Sequence, residues 1–277
     1  MIPYHKQGQR RRSLYVRAAW LAMLGLAVAL PAIAQKAPAP APDAPPFGTT
    51  DQERYNSCMA MARSDPKAAL GEAQAWRKAG GGDPALHCVA VSLLGIGEFQ
   101  QAALNLESLS RSARITPALR GDLLGQAGNA WTLARKPAEA YKDQSAALAL
   151  KPDDIDLLVD RSITLSGTAQ YWEALDDLNR AIALDPDRVD ALVYRAAAWR
   201  HLKSFDLAED DATRALALQH DRLDALLERG AIRKARGNLA GARTDWLRVV
   251  DLASEGPMRE AARRGLELMD VKPNIKK

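Results

Sequence analysis

Aromatic side chains are scarce, with three Phe, six Trp and six Tyr in 277 residues. Strands favour β-branched and aromatic residues, so an apolar set dominated by Ala and Leu points to close helix–helix packing rather than a sheet. Cysteine occurs only at Cys58 and Cys88, with no Cys-x-x-Cys pair. That argues against a metal or redox site made from Cys58, His87 and Cys88. Of the four histidines, His5 is near the N-terminus, and His87, His201 and His220 share no spacing. HExxH, GxSxG, a phosphate-cradling glycine loop and a haem attachment motif are all missing, and Gly95-x-Gly97 lacks a third glycine. The reading is therefore of a non-enzyme without cofactor or metal.

One-sided charge is also missing. The formal net charge is +4, but residues 1–34 hold Lys6, Arg10, Arg11, Arg12 and Arg17 and no acid. Setting these five aside leaves 33 basic against 34 acidic residues. A nearly neutral remainder gives no electrostatic case for nucleic acid.

No apolar run is long enough for a membrane helix. Ala18–Leu30 spans 13 residues, short of the roughly 20 a crossing needs. Preceded by basic residues and followed by Pro31 and Ala32-Ile33-Ala34, it resembles a bacterial secretory signal cut before Gln35. No stable membrane span is expected after that cleavage. Residues 35–50 open with QKAPAPAPDAPPF, an extended Pro/Ala-rich spacer. The expected location is periplasmic or secreted.

What the chain has is a period. Leu124, Leu158, Leu192 and Leu226 stand 34 apart, as do Ala140, Ala174, Ala208 and Ala242, and Leu150, Leu184, Leu218 and Leu252. Small residues repeat at Gly128, Ser162, Ala196 and Gly230, and at Ala147, Ala181 and Ala215; Pro152 and Pro186 are one period apart. Each unit reads as two amphipathic helices, such as Asp190–Leu202 and Phe205–Leu218. The small residues sit where helices approach, and the prolines follow the second helix. Asp-x-x-Asp runs at 153–156, 187–190 and 221–224 are expected to cap and charge the next helix start.

In period, small residues, second-helix alanine and closing proline this resembles the tetratricopeptide repeat. His220 and Ser254 replace the proline, and Arg233 stands where an aromatic is usual. The resemblance implies an all-α fold, a right-handed α-solenoid of helix-turn-helix repeats. Four units run at 121–154, 155–188, 189–222 and 223–256. Residues 51–120 hold two decayed units, with alanines at Ala69 and Ala102 and a break at Gly80-Gly81-Gly82. The 38-residue step from Ala102 to Ala140 implies about four inserted residues near Ile115–Arg120. Within 257–277, Pro257–Met269 is expected to cap the array.

Two charged columns share the period: Arg161, Arg195, Arg229 and Arg263, and Asp143, Asp177, Asp211 and Asp245. Pairing within a repeat orphans Asp143. Pairing between repeats (Asp143–Arg161, Asp177–Arg195, Asp211–Arg229, Asp245–Arg263) leaves none over, and counting favours it. The reading is of register-setting ion pairs rather than an anion ladder.

The resemblance makes the first helices of the decayed units neighbours, so Cys58 and Cys88 are expected to form a disulfide in an oxidising compartment. It also implies a concave groove lined by first helices. That groove would present Asn129, Asp156, Asp190, Tyr194, Arg200, His201 and Lys234 beside the apolar Ile163, Val193, Ala197, Leu227 and Ala231. A protein partner is expected there, an envelope protein or a peptide segment. The alternative is an accessory subunit of a cell-envelope assembly, in polysaccharide export or outer-membrane biogenesis, docking through convex faces or ends.

Overall fold

The computed structural model describes residues 51–270. The expected signal (1–34), spacer (35–50) and tail (271–277) lie outside the described residues. Among the described residues are thirteen α-helices and no strand. They are α1 Asp51–Ser64, α2 Pro66–Lys78, α3 Gly82–Ile96, α4 Phe99–Ser110, α5 Pro117–Leu133, α6 Pro137–Leu150, α7 Ile155–Gly167, α8 Tyr171–Leu184, α9 Val189–His201, α10 Phe205–Leu218, α11 Leu223–Ala235, α12 Leu239–Leu252 and α13 Pro257–Asp270. Successive helices pair antiparallel, in the manner of a tetratricopeptide repeat array.

The chain divides between Pro152 and Asp153 into two compact units. The N-terminal unit holds the hairpins α1/α2, α3/α4 and α5/α6. The C-terminal unit holds α7/α8, α9/α10 and α11/α12, with α13 packed on α11 and α12.

The alanine columns lie in the cores of these hairpins. Ala140, Ala147, Ala174, Ala181, Ala208, Ala215 and Ala242 are all fully buried. At these points a larger side chain would wedge the helices apart. Leu158, Leu192 and Leu226 are buried too, each contributing roughly 1.5–3 kcal/mol of apolar transfer. In α5 the core position passes to Leu123, and Leu124 is only half-buried. Gly230 leaves room for Trp246, because a methyl group there would overlap the indole. The leucines at 184, 218 and 252 recur as exposed residues at second-helix ends.

The turns inside the last four hairpins, α5/α6 to α11/α12, are built alike. Arg135, Ala169, Lys203 and Gly237, one period apart, have φ of 57°, 61°, 62° and 83°. The N–H of the following residue reaches back to the carbonyl five positions earlier: Lys136 to Trp131, Gln170 to Leu165, Ser204 to Trp199 and Asn238 to Arg233, at 2.8–2.9 Å. This left-handed helix ending favours glycine, which of these four turns only the last supplies; Gly97, at φ 87°, ends α3 in the same way.

The insertion near Ile115–Arg120 is absorbed as helix. α5 has 17 residues where α7, α9 and α11 have 13, so the surplus is about one turn. Thr116 Oγ1 caps it, accepting from Leu119 N–H at 3.3 Å, and Pro117 occupies its first turn. α9 begins one residue earlier than the apolar pattern predicts.

The capping expectation holds at the N-cap itself only at Asp154, which accepts from Leu157 N–H at 3.3 Å; at the next two helix starts Asp190 and Asp224 accept the free first-turn N–H groups of Ala191 and Ala225. Arg188 and Arg222 occupy the next two N-cap positions. Asp187 and Asp221 instead pair with Arg214 and Arg248, as Asp153 pairs with Arg180. This exposed ladder spans 27 residues each time.

Candidate interaction surface

The charged columns pair within hairpins, which corrects the pairing expected between them. Arg161 donates to Asp177 at 2.8 and 2.7 Å, Arg195 to Asp211 at 2.7 and 2.7 Å, and Arg229 to Asp245 at 3.0 and 2.7 Å. Each is a two-pronged fork through Nε and Nη2 onto both carboxylate oxygens. Arg195 and Arg229 each have two candidate aspartates, one across the short turn and one across the longer inter-repeat loop. Helices within a hairpin pack more closely, and that contact wins. Arg195 reaches the preceding hairpin through Nη1 to Asn179 Oδ1 at 2.9 Å, not through Asp177.

The ends of both columns depart from the ladder. Arg263 pairs with Glu255 at 3.2 Å rather than Asp245. Asp143 has Lys142 at 3.5 Å rather than Arg161. Asp245 gains a second arginine, Arg233 Nη1 at 2.9 Å, from the position where an aromatic is usual.

In the C-terminal unit the first helices α7, α9 and α11 are neighbours. They carry two polar clusters at their N-terminal ends. Arg188 donates to Asp156 on α7 and, at 2.5 and 3.0 Å, to Asp190 on α9. Arg222 donates to Asp224 on α11 at 2.6 and 2.8 Å. Asp190 and Asp224 also accept the N–H of Ala191 and Ala225 at 2.9 and 2.8 Å.

The charge states follow from this wiring. Burial opposes the Arg188 charge, but its bonds to Asp190 and Asp156 outweigh it and hold the pKa above the usual guanidinium value. The Asp224 hydrogen bond does the same for Arg222, against partial burial. Burial, with the negative charges of Asp224, Asp190 and Asp160, pushes the Tyr194 phenol up to about 12. Tyr194 is therefore a neutral hydroxyl at any ordinary pH.

At the other end of the same helices Arg200 grips Glu228 through Nε and, at 3.3 Å, through Nη2. His201 stacks on Tyr171 with centroids 4.5 Å apart. Partial desolvation and the Arg200 charge lower its pKa, against the pull of Glu228. Lys234 sits over the Trp246 ring at 5.8 Å.

The structure thus gathers Asp156, Asp190 and Tyr194 into one cluster and places Arg200 and His201 together in another, with Lys234 on α11. Asn129 lies on α5 of the N-terminal unit, where it accepts from Gln144 Nε2 at 3.4 Å. Sequence reasoning missed Arg188, Arg222, Asp224 and Glu228 as parts of this surface. A signal existed, since Arg188 and Arg222, and Asp156, Asp190 and Asp224, keep the period.

In the N-terminal unit Cys58 on α1 and Cys88 on α3 are disulfide-bonded, with Cα atoms 6.2 Å apart. His87 beside them is hydrogen-bonded at both ring nitrogens, Nδ1 to Tyr55 Oη at 2.6 Å and Nε2 to Gln126 Oε1 at 3.2 Å. Burial lowers its pKa, and the Gln126 bond opposes this only partly. A neutral ring accepting at Nδ1 and donating from Nε2 satisfies both partners. Neither cysteine nor His87 is placed to ligate a metal. No group of three or more His, Cys, Asp and Glu among the described residues has metal-site geometry.

The sequence matches no known family model and no curated protein. Solved structures match the fold. A tetratricopeptide repeat protein from Parabacteroides merdae aligns with 68% of this chain and 73% of its own, at TM-score 0.58 and 21% identity. MamA from Desulfovibrio magneticus aligns with 61% of this chain and 94% of its own, at TM-score 0.55 and 18% identity. YrrB, described as a TPR protein with an unusual peptide-binding site, aligns with 72% of this chain and 97% of its own, at TM-score 0.51 and 18% identity. The class is therefore a tetratricopeptide-type helical repeat fold. At these identities the likeness establishes architecture alone.

Proposed function

We propose that the chain is an exported, non-enzymatic scaffold that holds a segment of another envelope protein on the first-helix face of its C-terminal unit. One observation carries this reading. α7, α9 and α11 present a pre-wired polar frame, Asp156–Arg188–Asp190 with Arg222–Asp224 at one end and Arg200–Glu228 with Lys234 at the other. Side chains held by their own partners lose little entropy on binding, which favours capture of an extended or helical segment. The peptide-binding site named for YrrB is in keeping with this. Export rests on the signal-like N-terminus, and a disulfide is consistent with an oxidising compartment.

A second reading is favoured by Leu184, Leu218 and Leu252, apolar residues 39–43% exposed at one position of successive second helices. These suit docking of a larger assembly on the outer side. Cross-linked capture from intact envelopes separates the two. Arg200→Glu with Lys234→Glu should abolish recovery of the partner if the first-helix face binds. Unchanged recovery with that pair, and loss with Leu184→Ser and Leu218→Ser, would transfer the function to the outer face.

A further inference from the structure

Asp143 is the one member of its column without an arginine fork. The arginine of its own repeat would stand at 127, one period before Arg161, and that position is the fully buried Ala127. Its side chain is nonetheless only 2% exposed. Buried Oδ2 receives no hydrogen bond. The neighbouring carboxyl is Glu107 of α4, 13% exposed, which shares Lys142 Nζ with Asp143 at 3.8 and 3.5 Å.

The C-terminal unit contains the same arrangement with a cation in the middle. There Arg233 donates Nε to Glu209 at 2.8 Å and Nη1 to Asp245 at 2.9 Å, so two acids from adjacent hairpins are bridged. The position equivalent to Arg233 in the α5/α6 hairpin is Trp131. Its indole N–H reaches Glu107 at 3.0 Å and has nothing to give Asp143. The remaining charges facing the pair are Lys142 of α6, 3.8 Å from Glu107 and 3.5 Å from Asp143, and Arg111 following α4, 3.7 Å from Glu107. Both are about 70% exposed and largely screened by solvent.

A buried and a partly buried carboxylate with one solvated cation between them cannot both ionise cheaply, and a proton on either supplies the donor that the pair lacks. We propose that Glu107 and Asp143 form a proton-sharing joint between the α3/α4 and α5/α6 hairpins, closed while the pair holds one proton and strained apart when both are ionised. The electrostatics agree in direction. Burial, then the hydrogen bond and charge of Glu107, push Asp143 up to about 6, while Glu107 is held below its usual value through the Trp131 and Asp143 bonds, against burial.

For a carboxyl whose folded pKa is raised, stability is full below the unfolded value and is lost as pH climbs through the folded one. Moving an aspartate from its ordinary value to about 6 changes the folding equilibrium by about a hundredfold across the whole titration, and about tenfold of that falls between pH 5 and pH 8. The test is carboxyl-carbon NMR titration of the full chain together with denaturation of Asp143→Asn. Asp143 should titrate near pH 6, and Glu107→Gln should move it back toward the ordinary carboxylate range. Asp143→Asn should be more stable than the parent at pH 8, with the advantage shrinking about tenfold by pH 5. An Asp143 midpoint below 5 in the unaltered chain overturns the joint. So does a parent-to-variant difference that is equal at the two pH values. The titration needs no substitution, so the proposal stays testable if a variant fails to fold.

Discussion

Replacing Arg195 with methionine leaves the Asp211 carboxylate, 8% exposed, without its fork. The parent bond is two charge-assisted contacts of 2.7 Å, with a third from Nη1 to Asn179 at 2.9 Å. Breaking a buried pair from one side costs about 3–5 kcal/mol, and Arg195 is 20% exposed, so about 3 kcal/mol is the expectation. Native-state amide exchange of α9 and α10 alongside urea unfolding would read it, since an array can open hairpin by hairpin. A double-mutant cycle of Arg195→Met with Asp211→Asn should show coupling of about 2 kcal/mol, and one with Asp177→Asn close to zero. Arg195→Met with Asp211→Leu should recover most of the loss, because an apolar pair avoids the desolvation cost. A single-variant cost under about 1 kcal/mol, or stronger coupling to Asp177, would refute the pairing within hairpins.

Other consequences are equally direct. Reducing the disulfide, or Cys58→Ser with Cys88→Ser, should destabilise the N-terminal unit by about 3–4 kcal/mol for a 30-residue separation. Amide exchange should then report α1 first, because α1 buries only Cys58 and Ala62. Ala169→Gly and Gly237→Ala should move stability in opposite directions by about 1 kcal/mol each, up and down, as both sit at positive φ; equal signs by thermal denaturation would refute the turn argument. His87, with its folded pKa lowered, contributes stability above the unfolded value of about 6.5 that is lost as pH falls through its folded value. His87→Gln should remove that acid sensitivity, and an unchanged pH profile below 6.5 would exclude a neutral, buried role. Asp143 acts with the opposite sign in the same unit, so each is read as a difference from its own variant.

Much of the fold is legible in the chain because a helical hairpin writes its geometry into spacing. An alanine that must let two helices touch recurs whenever the same contact recurs, and Ala140, Ala174, Ala208 and Ala242 do so without exception. The decayed hairpins were visible through Ala69, Ala102 and the Gly80–Gly82 break, though not the extra turn that lengthens α5. The candidate surface was legible as a set of first-helix positions. Its wiring was not, because Arg188 and Arg222 stand in loops that an apolar pattern does not weigh. The left-handed turn residues escaped notice for a related reason, since Arg135, Ala169 and Lys203 occupy positions where glycine is the usual mark.

Periodicity by itself determined that Arg161, Arg195 and Arg229 are equivalent, that Asp143, Asp177, Asp211 and Asp245 are equivalent, and that the helices pair in order. Only the tertiary structure decided which equivalent residue meets which. An arginine such as Arg195 has a candidate aspartate in the hairpin before it and another in its own, and the choice follows from which pair of helices packs more closely, a distance that no spacing encodes. The same holds for Asp143, whose period promised it an arginine and whose buried surroundings supply Glu107 instead.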